Sequence, residues 1–249
     1  MYNYSAPPQL LKDRIILVTG AGDGIGKLAA KTFAQYGAIV ILLGKTIAKL
    51  EAVYDEIEKD NGPQPAIYPM NLEGATGKDF EDMQQTLDEE FGRLDGLLHN
   101  AAQLGTLMPI AQYDMALWGK VMQVNLNAPY MITRMCLPLL EKSQDASVIF
   151  TSDDVGIHGK AYWGAYGITK AAGNNLMQIL ADEMEVNTPI RFNSINPGTV
   201  ATTMLAKAYP GLDPTDLAKP EDIMNAYLYL MGEDSKAVNG QIVKAQPES

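Results

Sequence analysis

Cysteine is all but missing from this chain: Cys136 stands alone among 249 residues. One thiol cannot close an intrachain disulfide, and a cysteine inside the apolar run 131–137 reads as a core residue. Basic residues are the scarcer charge, with 19 Lys and Arg against 30 Asp and Glu, a net charge of −11 and a pI near 4.6. That balance repels nucleic-acid phosphates and anionic membrane surfaces, and no basic run offsets it. Neither partner is expected. No apolar stretch approaches the ~20 residues of a bilayer-spanning helix. The N-terminus lacks the basic segment and apolar run of a secretory leader, so the expected compartment is the cytoplasm. His, Cys, Asp and Glu nowhere gather at metal-ligand spacing, and no metal is expected.

What the chain does contain is ordinary globular material: 47% apolar residues, 20% charged, with glycine and proline spread along its length. That length suits one α/β domain spanning 1–249. Short apolar runs alternate with amphipathic ones. Strands are expected at 14–19, 38–43, 65–70, 94–99, 147–151, 190–195 and 240–244. Helices are expected at 25–36, 47–59, 79–91, 113–140, 163–186 and 221–231. Such alternation predicts a doubly wound, Rossmann-type parallel sheet of about seven strands with helices on both faces. The irregular stretch 198–219, with Pro210 and Pro214, is long enough to be a lid over a site.

Two local features carry chemistry. The first is the segment Thr19, Gly20, Ala21, Gly22, Asp23, Gly24, Ile25, Gly26, which follows the first strand and opens the first helix. Glycines there let backbone approach a pyrophosphate, and a helix N-terminus supplies free N–H groups. After the second strand stands Lys45, where an NAD-binding chain usually carries an acid for the ribose hydroxyls. A lysine can neutralise a 2′-phosphate, so NADP is favoured and NAD remains open; the alternative is a solvated loop lysine. Asp23 pulls the other way, since its charge repels phosphate. The second feature is Tyr166 with Lys170, four apart on one helix face. A neighbouring ammonium favours phenolate and lowers the tyrosine pKa from about 10, suiting it to exchange a proton with a carbonyl or alcohol.

With these motifs in order, the chain resembles the short-chain dehydrogenase/reductase family from end to end. Local stretches such as 97–100, 163–166 and 229–232 are similar to its YciK-like bacterial oxidoreductases. The resemblance implies an oxidoreductase acting on a small carbonyl or alcohol. It implies an adenine contact at Asn71 and its neighbour Leu72, and a cofactor-side segment at Asn100, Ala101 and Ala102. Asn125 would hold a water near Lys170, and Pro197, Gly198, Val200 and Thr202 would surround the nicotinamide. It also implies association into a homodimer or homotetramer through the helices carrying Asn125 and Tyr166. A face of Ala171, Ala172, Gly173, Leu176 and Met177 suits such contact.

One position departs from the pattern. The family's catalytic serine lies thirteen residues before the tyrosine and three before a glycine; here both counts give Asp153, with Ser152 next to it. Strand alternation turns Ser152 away from Tyr166. An ionised carboxylate accepts hydrogen bonds and cannot donate. At about 4 Å and an effective dielectric of about 20 it opposes a phenolate by roughly 4 kcal/mol, similar to the lysine's help. Three outcomes stay open. The first is an active reductase using protonated Asp153 or a shifted Ser152. The second is a cofactor-binding sensor or partner subunit with weakened catalysis. The third is altered chemistry in which Asp153 recognises a cationic or hydroxylated substrate. Elsewhere, His99 reads as a packing residue and His158 as either pocket or loop. Leu104, Tyr162, Trp163, Met204 and Tyr209 are candidates for the substrate wall.

Overall fold

The computed structural model describes residues 3–247; the four terminal residues of the expected 1–249 unit lie outside the described residues. The apolar runs form β1 (Ile15–Thr19), β2 (Ile39–Gly44), β3 (Ala66–Pro69), β4 (Gly96–His99), β5 (Ser147–Thr151), β6 (Arg191–Asn196) and β7 (Ile242–Lys244). They make one seven-stranded sheet in the order β3-β2-β1-β4-β5-β6-β7, with every pairing parallel. Strands covered on both faces need no polar alternation, which is why β1 reads Ile-Ile-Leu-Val-Thr and is buried throughout.

Helices α1 (Gly24–Gln35), α2 (Ile47–Lys59) and α3 (Gly77–Phe91) lie close to their sequence expectations. One core beside the sheet gathers Phe33, Leu50 and Tyr227, and the other gathers Phe80, Ile132 and Met177. Cys136 is fully enclosed in the second core, and burial pushes its thiol up to about 12. The long helix expected at 113–140 is divided into α4 (Met115–Met122), a wide π turn (Gln123–Asn127) and α5 (Ala128–Leu140). Pro129 has no N–H to give the carbonyl four residues back, that of Asn125, so the regular ladder cannot run through this point.

Helix α6 (Gly164–Met184) carries Tyr166 and Lys170. Its Met177 faces the core, not outward as the expected association face required; Ile168 and Ile179 are the exposed apolar residues instead. The stretch 198–219 is partly ordered: α7 (Thr203–Ala208) is capped by the Thr202 hydroxyl, and Val200 bridges to Ala218. After it the helix expected at 221–231 begins with a tight turn and continues as α8 (Met224–Met231).

The N-terminal ends of the central strands are tied by buried charge. Arg191 bonds Asp145, Ser235 and the carbonyls of Leu230 and Gly232 at the end of α8. Arg14 pairs with Asp145 at 3.0 Å, and Asp95 accepts from Ile15 N, Ser143 and Arg93. The opposite, C-terminal ends diverge between β1 and β4, where the strand order reverses. In an open parallel sheet that is where a ligand crevice forms.

Candidate active site

A cleft of about 520 Å³ opens there, running from Lys45 and Asn71 across the glycine loop to Tyr166 and Trp163. Most expected site residues line it: Gly20, Gly22, Asp23, Gly24, Ile25 and Lys45 on one side, with Asn71 and Leu72 beyond. Asn100, Ala101, Ala102, Pro197, Gly198, Val200 and Thr202 form its middle, and Ser152, Asp153, Tyr166 and Lys170 its far end.

Three expected residues stand behind the cleft. Thr19 Oγ1 accepts from the N–H groups of Asn100 and Ala101, at 3.0 and 3.1 Å, and so binds the loop after β4 to β1. Gly26 is packed so closely that an added Cβ would meet Gly20 O at 2.3 Å. Asn125, in the π turn, accepts from Gln103 N at 2.7 Å, donates to Gln103 O at 2.9 Å and reaches Thr169 Oγ1 at 3.1 Å. Its side chain clamps the cleft wall. These three shape the site through others.

The glycine loop leaves room for a phosphate-bearing ligand. Gly24 has φ +51°, and a Cβ there would meet nothing nearer than Thr202 at 3.8 Å, so the first turn of α1 faces open cleft. Asp23 caps this helix by accepting from Gly24 N at 2.8 Å. The repulsion expected from Asp23 is answered by a residue that sequence reasoning missed. Lys49, at the start of α2, pairs with it at 2.5 Å, and this pairing leads the causes that hold the carboxyl below the usual range. Lys45 remains without an acidic partner among the described residues. The cleft therefore ends in two lysines, one neutralised and one free. These residues fit a dinucleotide carrying a 2′-phosphate.

At the other end, β5 stops at Thr151 and the chain turns. Gly156 makes the turn possible, since a Cβ there would lie 2.6 Å from Lys170 Cβ. The turn packs on α6 and delivers Asp153 to Tyr166, whose hydroxyl donates to Asp153 Oδ2 at 3.2 Å. Asp153 Oδ1 accepts from Val155 N at 3.1 Å. Lys170 donates to Thr151 O at 2.6 Å, and its ammonium lies 5.4 Å from the Tyr166 ring centre. Ser152 turns aside: its Oγ is buried and meets no partner among the described residues.

The electrostatics differ from the expectation of a lowered tyrosine. Burial first, then the Asp153 charge and hydrogen bond, raise Tyr166 well above its usual value. Burial lowers Lys170 to about 8, against the opposing pull of Asp153. With its solvation removed, the lysine does not outweigh burial and the carboxylate at the phenol.

Trp163, Leu104 and Met204 line the far wall as expected, while Tyr162 is exposed and Tyr209 stacks behind Trp163 at 5.8 Å between ring centres. His99 is buried, bonded to Thr133 at 2.8 Å and tilted against Phe150; burial depresses it to about 3. It packs away from the cleft. His158 is exposed and does not line it. No metal-holding group of His, Cys, Asp or Glu occurs among the described residues.

The family model described as short chain dehydrogenase matches residues 14–213. The chain belongs to this family. Among curated proteins, the uncharacterized oxidoreductase YciK of Escherichia coli K12 is 46% identical over 245 residues, 98% of this chain and 96% of that one. A solved Pseudomonas syringae structure described as a short chain dehydrogenase has a TM-score of 0.97 and 52% identity, covering 99% of this chain and 100% of its own. One from Shigella flexneri 2a, complexed with NADP, has a TM-score of 0.94 and 46% identity, with 97% of this chain and 100% of that chain covered. The family supplies the reaction class, oxidoreduction. No helix among the described residues is long and apolar enough to cross a membrane.

Proposed function

We propose that this short chain dehydrogenase is an NADP(H)-dependent oxidoreductase that moves hydride between the nicotinamide and a small carbonyl or alcohol substrate. The reading rests on one arrangement: a single cleft joins the open glycine loop and unpaired Lys45 to Tyr166 and Lys170. Lys45 would take the 2′-phosphate, favouring NADP over NAD; the N-terminus of α1 would take the pyrophosphate. The cofactor supplies the hydride. Tyr166 then gives a proton to the substrate oxygen or takes one back, Lys170 orients the site, and Asn125 holds the wall through Gln103. The NADP complex of the Shigella flexneri relative supports this cofactor.

Residues 198–219 act as the lid in this reading, with α7 over the cleft beside the glycine loop. Like its implied relatives, the chain forms a homodimer or homotetramer, now with Ile168 and Ile179 as the outward apolar residues of α6. A monomer by light scattering at micromolar concentration overturns that part. The test of the whole is a titration with NADPH and NADH, followed by NADPH consumption over ketones, aldehydes and quinones. Tight NADPH binding with turnover supports the reading; absent binding of either dinucleotide ends it.

The second reading, a cofactor-binding sensor or partner subunit with faded catalysis, draws on the Tyr166–Asp153 bond and the raised tyrosine. Tight NADPH binding without turnover of any substrate class, cured by Asp153→Ser, would favour it.

A further inference from the structure

We propose that the group reduced in this cleft is a protonated carbon–nitrogen double bond, an iminium, in a flat apolar molecule, and that Asp153 recognises its N–H. The proposal rests on the hydride-transfer reading above and replaces the carbonyl group of that reading by its nitrogen analogue.

At the reacting end of the cleft the Tyr166 proton is already taken and a carboxylate has acceptor capacity to spare. Asp153 is half-buried and lines the cleft. Its carboxylate receives one bond from Tyr166 and one from Val155 N, which leaves lone pairs to spare. The single proton of the Tyr166 hydroxyl is engaged with that carboxylate. Ser152 Oγ is enclosed, with no partner among the described residues. Lys170 gives one of its three N–H groups to Thr151 O, and its ammonium, 5.4 Å from the Tyr166 ring centre, offsets part of the Asp153 charge. A ketone oxygen only accepts, and it would have to draw the tyrosine proton away from Asp153. The alkoxide charge it develops would then sit beside a carboxylate. An iminium reverses both relations, because its N–H donates and its charge is positive.

The surroundings suit such a molecule. Trp163 stands 5.6 Å from the Tyr166 ring and 5.8 Å from Tyr209, with Leu104 and Met204 completing an apolar wall. Aromatic faces favour a delocalised cation. Besides Lys170, the other nearby charges are accounted for. Asp154 holds Asn196 at 2.7 Å, Lys160 is bonded to the Tyr209 hydroxyl at 2.7 Å, and Lys207 lies on the cleft rim. Asp153 is thus the carboxylate that faces the reacting group.

The step balances without a proton relay. Hydride from the reduced nicotinamide bonds to the iminium carbon, and the C=N π pair becomes the lone pair on nitrogen. Nitrogen keeps its proton, the substrate is reduced to a neutral amine, and the nicotinamide is oxidised. Asp153 keeps the imine in the protonated form that accepts hydride. Tyr166 holds Asp153 in position.

The test compares 3,4-dihydroisoquinoline with 1-tetralone, bicyclic molecules differing in C=N and C=O, with NADPH binding measured first. Calorimetric titrations with tetrahydroisoquinoline, a cation at neutral pH, and with isochroman, its neutral ether analogue, supply a readout independent of turnover. The expected result is wild-type preference for the imine by at least 10-fold. Asp153→Ser and Asp153→Asn, each checked for an unchanged melt, should weaken the amine by at least 10-fold and leave isochroman alone. Tyr166→Phe should cut tetralone reduction far more than imine reduction. Faster tetralone reduction by the wild type, or amine binding indifferent to both Asp153 variants, overturns the proposal. If neither probe turns over, the amine titration decides. Failure to bind NADPH removes the hydride-transfer reading itself, whereas NADPH binding with ketone preference removes only this inference.

Discussion

The Tyr166 hydroxyl donates to Asp153 Oδ2 at 3.2 Å, so the tyrosine proposed as the acid is hydrogen-bonded to a carboxylate. Burial and this carboxylate together hold the phenol proton on. Replacing Asp153 by Ser removes one of the two causes. Tyr166 should then titrate lower, while remaining above 10 because it is still buried. Phenolate absorbance across pH 9–12 checks this, and an unchanged profile would show that the carboxylate does not act on the phenol.

Tyr166→Phe removes the hydroxyl proposed to exchange a proton with a carbonyl oxygen. For a ketone substrate, turnover should fall about 100-fold or more, with the NADPH dissociation constant moving less than about 3-fold. Steady-state rates with parallel NADPH titrations measure both. Ketone turnover at the wild-type rate would remove Tyr166 from the chemistry.

Lys45 lines the end of the cleft near Asn71 and has no acidic partner among the described residues. Lys45→Ala should weaken NADPH by about 10–100-fold, the worth of a charge-assisted hydrogen bond, and barely change NADH. Equal losses for the two dinucleotides would mean that Lys45 does not read the 2′-phosphate.

Lys170 gives a pH signature. Its pKa falls from 10.5 when unfolded to about 8 when folded. Below pH 8 both states are charged, and folding carries the full cost of burying the ammonium. Between pH 8 and 10.5 the unfolded chain binds the extra proton, so that cost shrinks as pH rises. Lys170→Met should therefore be more stable than wild type at pH 7 by about 1–3 kcal/mol, with the gap closing across that window. Melting curves from pH 7 to 10 read it out. A gap independent of pH would contradict a depressed lysine.

Asn125 satisfies both backbone groups of Gln103. Asn125→Ala should cost about 2–3 kcal/mol through these orphaned groups and loosen the wall at residues 100–103. A melt shows the first effect, and faster amide exchange at Gln103 the second. An unchanged melt would mean that the wall holds without its clamp.

Much of this arrangement is legible in the sequence where one element carries the signal. The apolar run into Thr19 and the glycines after it announce a strand, a phosphate-sized turn and a helix, and they stand so. Asp153 is found by counting against the family pattern, thirteen residues before Tyr166 and three before Gly156. Relations between distant elements are harder to read. Nothing in the sequence pairs Lys49 with Asp23, twenty-six residues earlier, because the contact exists only once α2 packs beside the glycine loop. The π turn hides for a different reason: the apolar pattern runs straight through it, and only Pro129 marks the missing donor. Met177 deceived the reading because small and apolar residues look alike on an outward face and on one pressed into the core.

The ionic ties of Asp145 to Arg14 and Arg191, and of Asp95 to Arg93, sit at the ends of the strands away from the cleft. Those ties predict a stability graded along the strands, stiffer at the rim that carries them. Sub-global opening should begin at the rim that carries Asp153, Tyr166 and α7, while the riveted rim holds its amide protons longest. Ligand entry then draws on motion the fold already permits, with no need to unseat the sheet.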